Sequence, residues 1–171
     1  MTGPTMTPTA PACSVIDPLI QPATLSRDGI AQRIPHQGRM CLLDLLLHWT
    51  ASQIECSATS HTAGDNPLRS ARGLLAPCAI EYAAQAMALH GALTAPAGVQ
   101  SSPGYLASVR EVRLSVLRLD DIAGALQVRA ERLAGAASLV SYAFSVADAS
   151  GRLLAEGRAS VVLNSPLRRA K

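Results

Sequence analysis

The sequence has 171 residues, of which 49% are hydrophobic and only 3% aromatic, and its formal net charge is +3. This length suits one domain with a tail, and this composition supports an aliphatic, alanine-rich core. The small charge argues against nucleic acid as a partner, because nucleic-acid-binding proteins normally show a strongly basic surface. No apolar run approaches the ~20 residues of a membrane span and no signal-like segment opens the chain, so we expect a cytoplasmic protein.

The two ends of the chain differ in composition from the rest. Residues 1–24 are rich in proline, threonine and alanine and almost uncharged, which predicts a flexible tail that can be deleted with little loss of stability. We assign residues 25–165 to a single domain and residues 166–171 to a short basic tail. The four cysteines are Cys13, Cys41, Cys56 and Cys78. They form no CxxC pair and the histidines lack metal-ligand spacing, so we expect free thiols, no metal and no cofactor.

The pattern of apolar residues predicts an α+β domain. In chain order we expect a short helix from Ser26 that Pro35 stops, strands at residues 40–49 and 53–60, a loop at 61–74, a helix at 77–93, and strands at 105–116, 124–133, 138–148 and 152–163. Alanines recur along the 77–93 helix and leave it small on nearly every side. A sheet that wraps closely around a helix requires such small side chains, so we expect this helix to be buried against an antiparallel sheet.

A carboxylate interrupts this otherwise apolar helix. Glu81 lies in its first two turns, where an unpaired carboxylate is costly to bury, and Gln85 follows one turn later on the same face. His61 ends the second predicted strand and opens the loop before the helix. The alternatives are a Glu81 that caps or pairs locally and a His61 that is an exposed loop residue. We expect His36, beside Pro35, to be structural and to orient its loop through a backbone hydrogen bond.

Two short segments resemble the β-hydroxyacyl-ACP dehydratases. Residues 34–44 (IPHQGRMCLLD) resemble the Pro-His-Arg-x-x-x-Leu-Leu-x-Asp segment before their first strand, and residues 79–86 (AIEYAAQA) resemble the Ile-Glu-Ala-Met-Ala-Gln stretch of their central helix. The Asn-Pro-Leu at 66–68 and the Glu-Tyr-x-Ala-Gln at 81–85 are similar to the divergent dehydratase-like proteins of aryl-polyene and related pigment gene clusters. This resemblance implies the hotdog fold, one long helix wrapped by a curled antiparallel sheet.

The same resemblance implies a function. It indicates a 3-hydroxyacyl-ACP dehydratase, a hydro-lyase of fatty-acid-like or polyene acyl chain synthesis, with acyl carrier protein as partner and a second hotdog chain in a homodimer or heterodimer. In that family a helix Glu or Asp works with a loop His, so Glu81 and His61 are the expected catalytic residues. In the dehydratase reaction we expect the His to remove the proton next to the thioester carbonyl, and Glu81, protonated or through a water, to assist loss of the hydroxyl. The family's Gly-His-Phe-Pro-Gly-His-Pro loop is absent here. A catalytically silent subunit that partners an active dehydratase or binds acyl chains therefore remains an alternative, as does an acyl thioesterase.

Binding residues are expected around the start of the same helix, where free backbone N–H groups can hold a thioester carbonyl oxygen. The expected substrate-binding residues are Gln85, Asn66, Cys78 and Ala79. We expect Arg69, Arg72 and Arg110 to steer the acidic recognition helix of the carrier protein. The alternative for the arginines is an ordinary solvated surface.

Overall fold

The computed structural model describes residues 24–95, 104–136 and 139–163. The described residues form two α-helices and six β-strands: α1 Arg27–Ala31, β1 Leu45–Trp49, β2 Gln53–Ala58, α2 Ala79–Thr94, β3 Tyr105–Leu114, β4 Leu126–Ala136, β5 Leu139–Ala147 and β6 Leu153–Val162. Single 3-10 turns occur at Gly38–Met40, Ser60–Thr62 and Ala76–Cys78. The tails predicted at 1–24 and 166–171 lie almost wholly outside the described residues, and so does Cys13.

The strands form one antiparallel sheet in the order β1-β2-β4-β5-β6-β3. Alternate residues of β2, β4 and β5 face the core, as the sequence pattern predicts. Cys56 on β2 lies beside Val128 on β4, which lies beside Val146 on β5, and all three are fully buried. Such rows of aliphatic side chains give the sheet one apolar face.

Helix α2 lies on this apolar face and contacts β2, β4 and β5. Ala79, Ala83 and Ala86 have no exposed surface, so small side chains form the contact between helix and sheet. The predicted buried helix against an antiparallel sheet is confirmed. It begins at Ala79, and Pro77 belongs to the 3-10 turn that leads into it. Neither helix among the described residues combines the length and apolar character that would let it cross a membrane.

The first strand is shorter than the apolar run that predicts it. The sequence predicts a strand over residues 40–49, whereas β1 begins at Leu45. The backbone N–H of Leu42 donates to Gln85 on α2 rather than to a neighbouring strand, and Leu42 and Leu43 are fully buried. The apolar run indicates burial correctly, but its first half packs against the helix instead of joining the sheet.

Strand β3 forms one edge of the sheet, where β6 is its neighbour. Its register shifts between Arg110 and Arg113, and Glu111 adopts a positive φ of 54° in this bulge. Gly157 lies opposite, where an added Cβ would come within 2.9 Å of the Phe144 ring and 3.2 Å of the Arg110 carbonyl oxygen, so a side chain here would crowd both neighbouring strands. Apolar side chains of this edge strand, Tyr105, Leu106, Val112 and Leu114, remain exposed in the single chain.

Candidate active site

Gln85 joins α2 to the connecting segment, which we define as residues 36–44. Its Oε1 accepts the N–H of Leu42 at 2.9 Å, and its Nε2 donates to the carbonyl oxygen of Met40 at 2.8 Å. Asp44 holds the other end of the segment, because its Oδ2 accepts the N–H of Thr59 at 2.6 Å. With these bonds the connecting segment lies across the first turns of α2.

This arrangement brings His36 to Glu81. The His36 Nε2 lies 3.1 Å from Glu81 Oε1, and Gln85 Nε2 donates to the same oxygen at 3.1 Å. Glu81 Oε2 makes no hydrogen bond to any described residue, and 32% of the Glu81 side chain is exposed. One carboxylate oxygen is therefore fixed by two donors, while the other is available to a ligand or to water.

Burial and the neighbours of Glu81 shift its pKa in opposite directions. Burial alone raises the pKa of this carboxyl, but the hydrogen bonds from His36 and Gln85, together with the electrostatic attraction to His36, bring the pKa below its ordinary value. Glu81 also lies in the first turn of α2, where the helix dipole favours a negative charge. Glu81 is thus ionised at neutral pH, which is the form of a carboxyl group that can accept a proton.

His61, the other predicted catalytic residue, lies elsewhere. It is fully buried, and its Nε2 lies 3.1 Å from the carbonyl oxygen of Ile122. Burial lowers the pKa of His61, so the ring is neutral. The structure does not bring His61 to Glu81, because the loop turns this side chain toward the segment between β3 and β4.

Two of the predicted substrate-binding residues act within the protein's own packing. The Asn66 amide donates to the Ser60 carbonyl oxygen at 2.8 Å and to the Tyr82 hydroxyl at 3.1 Å, and its Oδ1 accepts the N–H of Leu68 at 2.9 Å. These bonds tie the loop to α2 and leave Asn66 almost fully buried. Ala79 has no exposed surface at all.

Cys78 is the predicted binding residue that stays partly exposed, immediately before α2. Its Sγ lies 3.9 Å from the Leu68 carbonyl oxygen. Burial raises the pKa of the thiol, so Cys78 is a neutral group at neutral pH. Its position allows contact with a ligand, whereas its charge state does not favour nucleophilic chemistry.

The three predicted partner-binding arginines have different surroundings. Arg69 Nη2 lies 2.8 Å from Asp120 Oδ2, and Arg118 binds the same carboxylate at 2.7 Å. The hydrogen bond from Arg118 is the main reason that the pKa of Asp120 lies at about 2. Arg72 and Arg110 are exposed, and neither forms an ion pair within the described part of the chain. Arg69 is therefore an internal ion-pair partner, and the other two remain available at the surface.

Comparison with known proteins decides the family. The family model described as ApeP dehydratase matches residues 29–170. The chain belongs to the ApeP-like dehydratase family. The dehydratase heterocomplex ApeI:P of Xenorhabdus doucetiae is similar in structure, with a TM-score of 0.71 at 22% identity over 83% of this chain and 93% of that one. No protein of curated function has a significantly similar sequence.

More distant structures share the hotdog fold of this ApeP-like chain. A thioesterase of Haemophilus influenzae has a TM-score of 0.59 at 11% identity, over 90% of this chain and 100% of that one. A thioesterase of Staphylococcus aureus has a TM-score of 0.54 at 14% identity, over 70% and 92%. The fold expected from the sequence, a curled antiparallel sheet around one long helix, is confirmed.

His36 is the residue that the sequence failed to place in the candidate site. The sequence predicts a backbone hydrogen bond for it, whereas the structure directs its Nε2 to Glu81 and gives its Nδ1 no partner among the described residues. One signal was available. His36 and Met40 are four residues apart, as are Glu81 and Gln85. In the structure His36 contacts Glu81, and the Met40 carbonyl accepts a hydrogen bond from Gln85.

Proposed function

We propose that this ApeP-like chain acts in the dehydration of a 3-hydroxyacyl thioester carried on an acyl carrier protein, in fatty-acid-like or polyene acyl chain synthesis. Glu81 is its acid–base residue. The observation that carries this proposal is the state of that carboxylate, which has Oε1 fixed by two N–H donors and Oε2 without a partner among the described residues. Membership of a dehydratase family supports the same reaction.

Because Glu81 is ionised, we assign it the role of the base in this reaction. In the dehydration, Glu81 Oε2 takes the proton next to the thioester carbonyl, and the electron pair of that C–H bond forms the new C=C bond. The C–O bond at carbon 3 breaks, and the hydroxyl leaves as water with a proton from an acid group. This assignment reverses the simplest expectation from sequence, in which a histidine is the base and Glu81 assists loss of the hydroxyl.

A second hotdog chain is the proposed source of the acid group. In this chain His61 is bonded to the Ile122 carbonyl and fully buried, so it does not supply that group in this arrangement. The similar ApeI:P protein is a heterocomplex. The edge strand β3, with its exposed apolar side chains, offers the surface for pairing with a homologous partner or a second copy.

The carrier protein is proposed to approach over exposed arginines. Arg72 and Arg110 keep this role, because neither is neutralised by a carboxylate within the described residues. Arg69 contributes less, since Asp120 already binds its guanidinium. Charge complementarity of this kind mainly raises the association rate.

Two other functions are each supported by one observation. An acyl thioesterase would use the unpartnered Glu81 Oε2 to activate water. A catalytically silent subunit would need no proton chemistry of its own, and the absence of a histidine from the loop before α2, apart from the buried His61, favours it.

Intact mass spectrometry of the acyl carrier protein distinguishes the three functions. The chain is incubated with a 3-hydroxyacyl-loaded carrier protein, alone and together with a second hotdog protein. Loss of one water from the loaded carrier supports the dehydratase. Release of the whole acyl group supports the thioesterase. Dehydration that depends only on the second protein, and is unchanged when Glu81 is replaced, supports the silent subunit.

A further inference from the structure

We propose that His36 is a positioning residue for Glu81: its ring Nε2–H holds Oε1 and leaves Oε2 as the oxygen that accepts the substrate proton. In naming Glu81 as a base, the inference rests on the proposed function. It adds a residue from the connecting segment that acts through Glu81 rather than on the substrate.

The surroundings of the two ring nitrogens determine which of them serves Glu81. The His36 Nε2 lies 3.1 Å from Glu81 Oε1, whereas Nδ1 is buried and has no hydrogen-bond partner among the described residues. An ionised carboxylate only accepts hydrogen bonds, so the nitrogen that faces it must carry a proton. The proton of His36 that matters for Glu81 is therefore the one on Nε2.

The second donor is the side-chain amide of Gln85, and its other hydrogen bonds show which end of the amide faces Glu81. The Gln85 Oε1 already accepts the N–H of Leu42, so the amide nitrogen must be the atom that faces Glu81. Both donors are therefore anchored, one by the connecting segment and one by α2. Two fixed N–H groups on one oxygen stabilise the carboxylate over the protonated acid.

The titratable groups that act on Glu81 are few within the described residues. His36 faces it from the connecting segment, and the Cys78 thiol lies close enough for the charge of Glu81 to contribute to the raised pKa of that thiol. Burial is the larger cause of that rise, so the thiol stays neutral. Loss of the His36 donor would thus remove a stabilising interaction that no neighbouring charge replaces.

The titration of Glu81 in the full chain tests this directly. Glutamate side-chain carboxyls are labelled with 13C, and the Glu81→Gln variant identifies the Glu81 signal. His36→Phe keeps a ring but removes the donor, and we expect the titration midpoint of Glu81 to rise by about one pH unit, since a hydrogen bond to a charged group is lost. His36→Gln retains a donor and should restore the wild-type midpoint. His48→Gln, at an exposed position on β1, is the matched control and should leave it unchanged.

An unchanged midpoint in His36→Phe, or a failure of His36→Gln to restore it, would overturn the positioning role. The 15N signals of His36 in the wild-type protein give an independent check that requires no variant. A ring protonated at Nε2 at neutral pH supports the inference, and a ring whose only proton is on Nδ1 contradicts it. Because neither measurement needs turnover, the inference and the proposed dehydration fail separately.

Discussion

At the scale of single residues, two histidines have surroundings that differ from those expected from sequence. The resemblance to dehydratases favours His61, which precedes the helix, over His36. The structure buries His61 against the Ile122 carbonyl and sends His36 to Glu81. Sequence identifies Glu81 and Gln85 because a polar pair on one face of an apolar helix is conspicuous. It does not identify the histidine, since that contact spans 45 positions and depends on how the connecting segment crosses α2.

His61→Ala tests the structural role of this residue. We expect the free energy of unfolding to fall by roughly 1 to 3 kcal/mol, because the change leaves a cavity and removes a buried hydrogen bond to Ile122. Denaturant titration at pH 7.5 measures the loss. The pH midpoint at which the Glu81 carboxyl titrates should be unchanged in His61→Ala. A loss of turnover without any loss of stability would instead return His61 to the catalytic residues.

At the scale of elements, alternation identifies the strands well and the ends of elements poorly. The buried series Val140, Tyr142, Phe144 and Val146 on β5 follows the predicted alternation. The first half of the predicted 40–49 strand is not a strand, since Gln85 takes its backbone hydrogen bonds. A run of apolar residues predicts that the segment is buried. The hydrogen-bond partner of its backbone groups depends on side chains that are distant in sequence.

A second buried histidine joins α2 to the sheet. His90 Nδ1 lies 2.9 Å from the Tyr142 hydroxyl and its Nε2 lies 3.0 Å from the Thr50 carbonyl oxygen. The neutral ring therefore has both nitrogens paired, one as acceptor and one as donor. Burial lowers the pKa of His90, and the charge of Arg132 acts in the same direction. Protonation would break the bond from Tyr142 and place a charge in the core.

The stability of the chain should depend on pH through this group. The pKa of His90 is lower in the folded state than in the unfolded state. The contribution of neutral His90 to the free energy of unfolding is therefore fully present above about pH 6.5, the ordinary pKa, and is lost as the pH falls below it. Unfolding in urea at pH 7.5 and pH 5.5 should show lower stability at pH 5.5, by at most about 1.4 kcal/mol per pH unit for each such histidine. His90→Gln should reduce this dependence, and the exposed His48→Gln should not. Equal pH dependence in both variants would contradict the assignment.

At the scale of the whole molecule, the sequence predicts the architecture but not the completeness of the site. Small residues on α2 and alternation in the strands are sufficient to predict a helix inside an antiparallel sheet, and the structure confirms it. Whether one chain supplies every catalytic group depends on the orientation of loop side chains and on a second chain. Neither is encoded in local periodicity.

The assembly prediction concerns β3, an edge strand with apolar side chains on its surface. We expect light scattering to give a mass of more than one chain, either for the protein alone or after mixing with a second hotdog protein. Leu106→Lys on β3 should weaken this association, while Leu47→Lys on β1, at the opposite edge and similarly exposed, should not. The mass of a single chain under both conditions would count against the prediction.

The central claim is that Glu81 carries proton chemistry on a 3-hydroxyacyl thioester, and Glu81→Gln tests it most directly. The substitution preserves shape and removes the carboxylate, so dehydration of a 3-hydroxyacyl-loaded carrier protein by the chain and its hotdog partner should slow by ~10²-fold or more. Glu131→Gln, at an exposed position on β4, is the matched control and should keep wild-type turnover. A Glu81→Gln protein as active as the wild type would contradict the claim, even with the fold unchanged.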